Sequence, residues 1–396
     1  MLLTAILLLS GCSVQKKITN LFQEGRIKQT SFNVEIPFEY RLGLVIIKVE
    51  LNNETYDFVF DSGAPNVLSK ELAATLGIKG LITQDIGGHQ GNRQPMDFTK
   101  IEALTIGGIT FEETAAGIGD FNQSTEVGCL EIDGIIGSNL MRLAVWKIDY
   151  RNQIITITNT KESLSLGKDT KRIPFYSNSV YTPYCDLKIN GIVEKNMMLD
   201  LGATEGFNLS YNNYKKIQKA VSNNKEVVDY GYHSAGFYGY GNIDSLYYLQ
   251  ADDLSIGEIQ LNNQVIKFSK SFTPTIGTGF FKNYDLVMNW TDQEFLLSPH
   301  TVYDNHKLIH KGINFNYQDG ALSIASLVTG SEAEALGIQV GDKVIQIDGK
   351  DYAAMTQAAY CKLFGQANWY KEIKRVVINR NGEALSFDLK NKVLIE

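Results

Sequence analysis

The sequence repeats itself, and the repeat constrains the fold before any composition does, because a duplicated unit must fold twice and then pack against its copy. "IKVELNNETYDFVFDSGA" (Ile47 to Ala64) is matched by "CDLKINGIVEKNMMLDLGA" (Cys185 to Ala203). Each is an alternating strand, an Asn-rich turn, a second apolar strand and then Asp-x-Gly-Ala. Upstream, "EIPFEY" near Ile36 recurs as "RIPFYS" near Ile173. Downstream, "DGIIGSNLMRLAVWKIDYRNQIITI" (Asp133 to Ile157) parallels "PTIGTGFFKNYDLVMNWTDQEFLL" (Pro274 to Leu297). Asp61 precedes Gly137 by 76 positions, and Asp200 precedes Gly277 by 77. Two such copies imply two similar β-lobes related by a pseudo-twofold axis, which can bring Asp61 and Asp200 together at their interface.

The aspartates need that explanation. Val45, Ile47, Val49 and Leu51 alternate as one face of a strand, and Phe58-Val59-Phe60 is apolar on both faces, as in a buried central strand. A lone carboxylate at the end of such a run costs several kcal/mol or gives up its charge, so it requires a partner. Asp-Ser-Gly taken singly is an ordinary turn tripeptide. Its duplication on equivalent strands makes each aspartate the partner of the other.

Composition sets the outer bounds. The chain has 396 residues, 44% of them hydrophobic and only 7 of them proline, enough for two or three packed domains and too apolar for disorder. Twenty tyrosines, 19 phenylalanines and 35 glycines favour a β-rich fold. A net charge of -7 without like-charge blocks leaves no footprint for nucleic acid. "MLLTAILLLSGC" is too short to span a bilayer and reads as a signal, followed by a polar linker over residues 13–30. Leu9-Ser10-Gly11-Cys12 resembles the bacterial lipobox, which implies cleavage before Cys12 and lipidation of that residue. Cys129, Cys185 and Cys361 remain, an odd number without C-x-x-C, and indicate neither a disulfide framework nor a zinc site. They read as core residues.

The paired motifs resemble the aspartic proteases of the pepsin and retropepsin type, in which each lobe or subunit carries apolar-Asp-Thr/Ser-Gly and a later apolar-apolar-Gly. Here "FDSGA" goes with "IIG" and "LDLGA" with "TIG". The resemblance covers about residues 31 to 300 and implies a mainly β, two-lobed acid-protease fold, with lobes at 31–159 and 170–303. It makes Asp61 and Asp200 the catalytic dyad, supported by Ser62, Gly63, Ala64 and Gly137 in the first lobe and by Leu201, Gly202, Ala203 and Gly277 in the second. Two carboxyls a few ångströms apart share one proton. The ionised member takes a proton from water while the other protonates the peptide carbonyl, and no metal or cofactor is needed. The sequence departs from the family at Leu201, where a Thr or Ser hydroxyl ties the loops together, and more mildly at Thr275. Two Gly-rich texts, "IGGHQGNRQPMDF" (Ile86 to Phe98) and "YGYHSAGFYGYGN" (Tyr230 to Asn242), are candidate flaps over a cleft or plain surface hairpins.

Beyond residue 306 the pattern changes. "GINFNYQDGALSIASLVTGSEAEALGIQVGDKVIQIDGKDY" (Gly312 to Tyr352) with "KRVVINRNGEALSFDL" (Lys374 to Leu389) resembles a small α+β PDZ domain of the bacterial envelope-protease kind, at 306–396. The resemblance implies that a peptide C-terminus adds as a strand, its carboxylate held near Gly312, Ile313, Asn314 and Phe315. His306 and His310 have zincin spacing, but Lys307 stands where a catalytic Glu would be, so no metal site is expected. There is no Gly-x-Ser-x-Gly elbow and no P-loop. The reading that emerges is a lipid-anchored aspartic endopeptidase facing the periplasm or exterior of a bacterial envelope. Its partners are a polypeptide substrate, a peptide C-terminus and the membrane that holds the lipid. The rival readings are a peptide-binding protein with a decayed dyad and an adaptor acting through its C-terminal domain.

Overall fold

A computed structural model describes residues 15–87, 93–233, 235–236, 239–271, 273–366 and 369–396. Strands dominate it, and the duplication is visible in their arrangement. In the first lobe, Val67–Ser69, Gly134–Gly137, Glu54–Asp61 and Leu44–Leu51 lie side by side in one sheet. In the second, Phe207–Ser210, Thr275–Ile276, Ile192–Leu199 and Pro183–Ile189 take the same order. Both hairpins turn on residues that tolerate the left-handed region: Asn52 and Asn53 at φ 51° and 67°, then Asn190 and Gly191 at 46° and 82°. Such turns match the right-handed twist of the strands they join.

A six-stranded sheet seals the two lobes together. Its order is Lys171–Pro174, Glu294–Pro299, Tyr284–Asn289, Val145–Asp149, Ile154–Thr158 and Asn33–Pro37. The first three strands belong to one lobe and the last three to the other. The pseudo-twofold axis passes between Val145–Asp149 and Tyr284–Asn289, which pair antiparallel with Ile148 opposite Leu286. A single apolar core runs through both lobes beneath the sheets, with Phe60 against Trp146 at 5.0 Å between ring centroids and Phe207 against Phe280 at 5.1 Å. Trp146 is fully buried and its indole N–H donates to Met141 O at 2.7 Å, so the largest side chain in the core leaves no donor unsatisfied.

The C-terminal unit has its own core, built around Ile313, Leu322, Ile324, Val344, Val376 and Ile378. It is fixed to both lobes. The strand Ala321–Val328 pairs antiparallel with Val227–Gly231 of the second lobe, with Tyr230 opposite Leu327, so the sheet of that lobe continues into the unit. On the other side, Cys361 on the helix Gln357–Phe364 forms a disulfide with Cys129, just after the first-lobe helix Thr125–Gly128. This corrects the expectation that these cysteines are unpaired core residues. Their partners lie 232 positions apart, and only the folded chain brings them within 5.1 Å between Cα atoms. Cys185 is free and buried, as expected. No helix among the described residues is long and apolar enough to cross a membrane. Cys12 lies outside the described residues.

Candidate active site

Asp61 is the last residue of the strand Glu54–Asp61, and Asp200 follows directly on its counterpart Ile192–Leu199. In both copies the strand side chains alternate between a core face and an outer face, and the aspartates fall on the outer one. Phe58 and Phe60 enter the core, as do Met197 and Leu199, whereas Val59 and Met198 do not. The pseudo-twofold axis then brings the carboxyls together, close enough to hydrogen-bond each other.

The glycines make that approach possible. A Cβ on Gly63 would overlap the Asp200 carboxyl, and one on Gly202 would overlap that of Asp61. Each glycine also holds its own aspartate, Gly63 N–H donating to Asp61 Oδ1 at 2.7 Å and Gly202 N–H to Asp200 Oδ1 at 2.8 Å. Burial raises both carboxyls above the ordinary range. At Asp200 the neighbouring Asp61 charge adds to this and pushes it well above; at Asp61 the N–H of Gly63 and the contact with Asp200 offset part of the rise. The arrangement therefore holds one proton between two unequal acids under conditions in which an exposed carboxyl is ionised.

The remaining residues named from the sequence form the frame. Gly137 is the register partner of Asp61 in a parallel pair, and Ile276, beside Gly277, partners Leu199. A Cβ at Gly137 would strike the Ala64 and Pro65 backbone, and one at Gly277 the carbonyls of Ala203 and Glu205. The carbonyls of Ala64 and Ala203 accept from Ser138 N–H and Thr278 N–H, both at 2.8 Å. Ser62 is fully buried; its hydroxyl donates to Leu199 O at 2.7 Å and accepts from Leu201 N–H at 3.1 Å, linking the two loops. Leu201 has nothing to return and is fully buried in the core.

Two hydroxyls were not singled out from the sequence. Ser138 Oγ donates to Val180 O at 3.0 Å and Thr278 Oγ1 to Gly43 O at 3.1 Å, each crossing to the opposite lobe. The repeat carried the signal, since each follows the Ile-Gly pair as "IGS" and "IGT". A contact between lobes also went unseen. Glu126 of the first lobe accepts from Tyr240 OH, on the hairpin formed by Ala235–Gly236 and Gly239–Tyr240, and from Tyr360 OH of the C-terminal helix at 3.1 Å. The second Gly-rich hairpin thus reaches across to the opposite lobe. The first is the ladder of Ile82–Gly87 with the start of Arg93–Ile106. Its tip, 88–92, lies outside the described residues, as do 234, 237 and 238 of the second.

The four C-terminal residues named from the sequence lie far from the dyad in the chain and hold another junction. Gly312 takes φ 91°, with Ser331 where a Cβ would go. Ile313 is fully buried and its carbonyl accepts from Tyr370 OH at 2.5 Å. Asn314 Nδ2 donates to Asp229 Oδ2 of the second lobe at 3.1 Å, and Phe315 lies 5.6 Å from the Trp369 ring. Among the described residues the strand Ile313–Gln318 pairs with one neighbour, Ala321–Val328. Among the described residues no cluster of His, Cys, Asp and Glu is arranged to hold a metal ion.

Residues 47–140 match a sequence-family model described as aspartyl protease. The match contains Asp61, Ser62, Gly63, Ala64 and Gly137, and stops before the second copy begins. A search of curated proteins returned no match for the chain.

Proposed function

We propose that this protein is an aspartic endopeptidase in which Asp61 and Asp200 activate one water between them. The observation that carries the reading is the crossed packing of the two carboxyls against Gly63 and Gly202, a geometry that only a shared proton makes tolerable. In the productive state one carboxyl is ionised and the other protonated. The carboxylate removes a proton from the water, whose oxygen attacks the peptide carbonyl carbon, while the protonated member gives its hydrogen to the carbonyl oxygen. The gem-diol intermediate then collapses: the carboxyl that took the water's proton gives it to the leaving nitrogen, the other carboxylate takes a proton from a diol hydroxyl, the C–N bond breaks, and the dyad again holds one shared proton. The second hairpin, held across the cleft by Tyr240 and Glu126, is suited to cover an extended substrate and exclude water.

The C-terminal unit fits a PDZ domain that presents polypeptides by strand addition at Ile313–Gln318, near Gly312 to Phe315, since among the described residues no second strand pairs with that edge, where Tyr370 OH holds the Ile313 carbonyl. A lipid on Cys12 would place the whole on a bacterial envelope membrane, with envelope polypeptides as substrates. The second reading, a peptide-binding protein with an idle dyad, is favoured by one feature, the missing hydroxyl at Leu201.

The deciding experiment is cleavage of a diverse peptide library between pH 3 and 8 by the chain, by Asp61→Asn and by Asp200→Asn. Hydrolysis abolished by either substitution supports the endopeptidase. Folded wild-type protein that binds peptides without cleaving them supports the second reading.

A further inference from the structure

The duplication allows a comparison of what flanks each aspartate, position by position. In the first lobe the register aligns Ile46, Val59, Ile135 and Val67 across four adjacent strands. In the second lobe the equivalent row is Tyr184, Met198, Thr275 and Asn208. Val59 and Met198 stand two residues before Asp61 and Asp200 on the same strand face, about 7 Å along the strand. A side chain next to a scissile bond held at the dyad therefore lies on the side of these rows or of what covers them.

The rows differ in chemistry. The first is wholly branched aliphatic, and the loop over residues 120–133 folds Leu130 onto it, making Ile46, Val59 and Leu130 one buried cluster with Ile135 packed against them. The second carries a phenol, a thioether, a hydroxyl and an amide. The connection corresponding to that capping loop is reduced to residues 270–274. Asn208 is 7% exposed; its Nδ2 donates to Thr275 Oγ1 at 3.2 Å, and its Oδ1 has no partner among the described residues. A buried amide oxygen without a donor is costly, and the first lobe places Val67 and Ile135 at the same positions without that cost. The fold does not call for a polar pair here. Met198 and Tyr184 beside it are only half-buried, which opens that end of the row, while Thr275 and Asn208 behind them are buried.

We infer that the two sides of the cleft select different residues: the first lobe takes a branched aliphatic side chain, and the second takes an unbranched one ending in an uncharged hydrogen-bonding group, such as glutamine or asparagine. The stem of that residue lies along Met198 and Tyr184, and its amide N–H supplies the donor that Asn208 Oδ1 lacks. Thr275 orients the Asn208 amide and acts through it. This inference rests on the endopeptidase reading and adds the substrate class.

The test is the cleavage profile of a peptide library for the full chain, Thr275→Ser, Thr275→Val and Asn208→Val/Thr275→Val. Wild type is expected to cut between an aliphatic residue and a glutamine or asparagine. The double variant, which copies the first-lobe row, should lose about tenfold or more in kcat/KM on such a peptide and gain on one with aliphatic residues at both positions. Thr275→Ser, which keeps the hydroxyl, should retain the wild-type profile, a result that a purely packing role for Thr275 does not require. Aliphatic residues on both sides of the wild-type cuts would overturn the inference, as would a double variant that is folded and active with an unchanged profile. If the double variant fails to fold, the wild-type profile and Thr275→Ser still decide. Absence of any cleavage by wild type would remove the endopeptidase reading itself and this inference with it, whereas cleavage with the wrong profile removes the inference alone.

Discussion

Ser62 ties the Asp200 loop through two hydrogen bonds, one to Leu199 O and one from Leu201 N–H, and Leu201 ties nothing in return. A pseudo-symmetric pair of loops is thus held by one hydroxyl. On the other side of the axis apolar burial takes its place, because Leu201 fills the core with no exposed surface.

The first expectation concerns that asymmetry. Ser62→Ala leaves a buried carbonyl and a buried N–H unpaired and should lower unfolding free energy by about 1–3 kcal/mol, together with kcat. Leu201→Thr, although it brings the sequence nearer to its first copy, should also destabilise, by roughly 1–3 kcal/mol, because it removes a fully buried leucine side chain. Denaturant unfolding of both variants checks the pair of signs. A stabilised Leu201→Thr would show that the missing hydroxyl, and not the leucine, dominates.

The dyad makes stability depend on pH in a stated direction. Asp200 is raised well above the ordinary carboxyl range in the folded protein and titrates near 3.9 when unfolded. The folded state therefore binds its proton more tightly. The stability this brings is complete at acid pH and is lost as pH rises from the unfolded value through the folded one. Asp200→Asn removes the titration, so its melting temperature should exceed that of wild type at neutral pH and should vary less across the same window. Activity should fall on the alkaline side as the shared proton leaves. Thermal unfolding at several pH values, beside a pH–rate profile, reads both.

The disulfide makes a separate claim. Closing a 232-residue separation stabilises by about 5 kcal/mol on chain-entropy grounds. Cys361→Ser, or reduction of wild type, should release the C-terminal helix from the first lobe, so that the unit around Ile313 and Val344 melts ahead of the lobes. Calorimetry with and without reductant should then show one transition becoming two.

Glu126 holds a hairpin of one lobe and a helix of the C-terminal unit at once. Burial raises its carboxyl, while Tyr240 OH pulls it back. Glu126→Gln keeps an acceptor for the two phenols and should be mild. Glu126→Ala should free the hairpin and speed limited proteolysis between Tyr232 and Ile243 several-fold. Equal cutting of the two variants would show that Glu126 does not restrain it.

The site was legible in the sequence to the extent that the repeat recorded it. Asp61 and Asp200 emerge from aligned texts because the duplication preserves local strand patterns, and a strand end with an aspartate reads the same in both copies. Ser138 and Thr278 were present in that alignment, yet their bonds run to Val180 and Gly43 across the axis, a relation that no local pattern encodes. Cys129 and Cys361 were misjudged for a related reason. Spacing rules see neighbours in the chain, and this pair is made adjacent only when a helix near the C-terminus docks on the first lobe. The continuation of the second-lobe sheet through Val227–Gly231 into Ala321–Val328 was equally hidden, because a strand does not announce which edge it will meet.

That docking closes a covalent circuit. From Cys129 the chain runs through the second lobe, past Asp200 and into the C-terminal unit, and Cys361 returns it to its start, so Asp200 lies inside the circuit and Asp61 outside it. Neither lobe can part from the C-terminal unit without breaking a covalent bond on one side or a row of backbone hydrogen bonds on the other. The two lobes are thereby joined at two places, by the common sheet and by the C-terminal unit, and only the second of these includes a covalent cross-link.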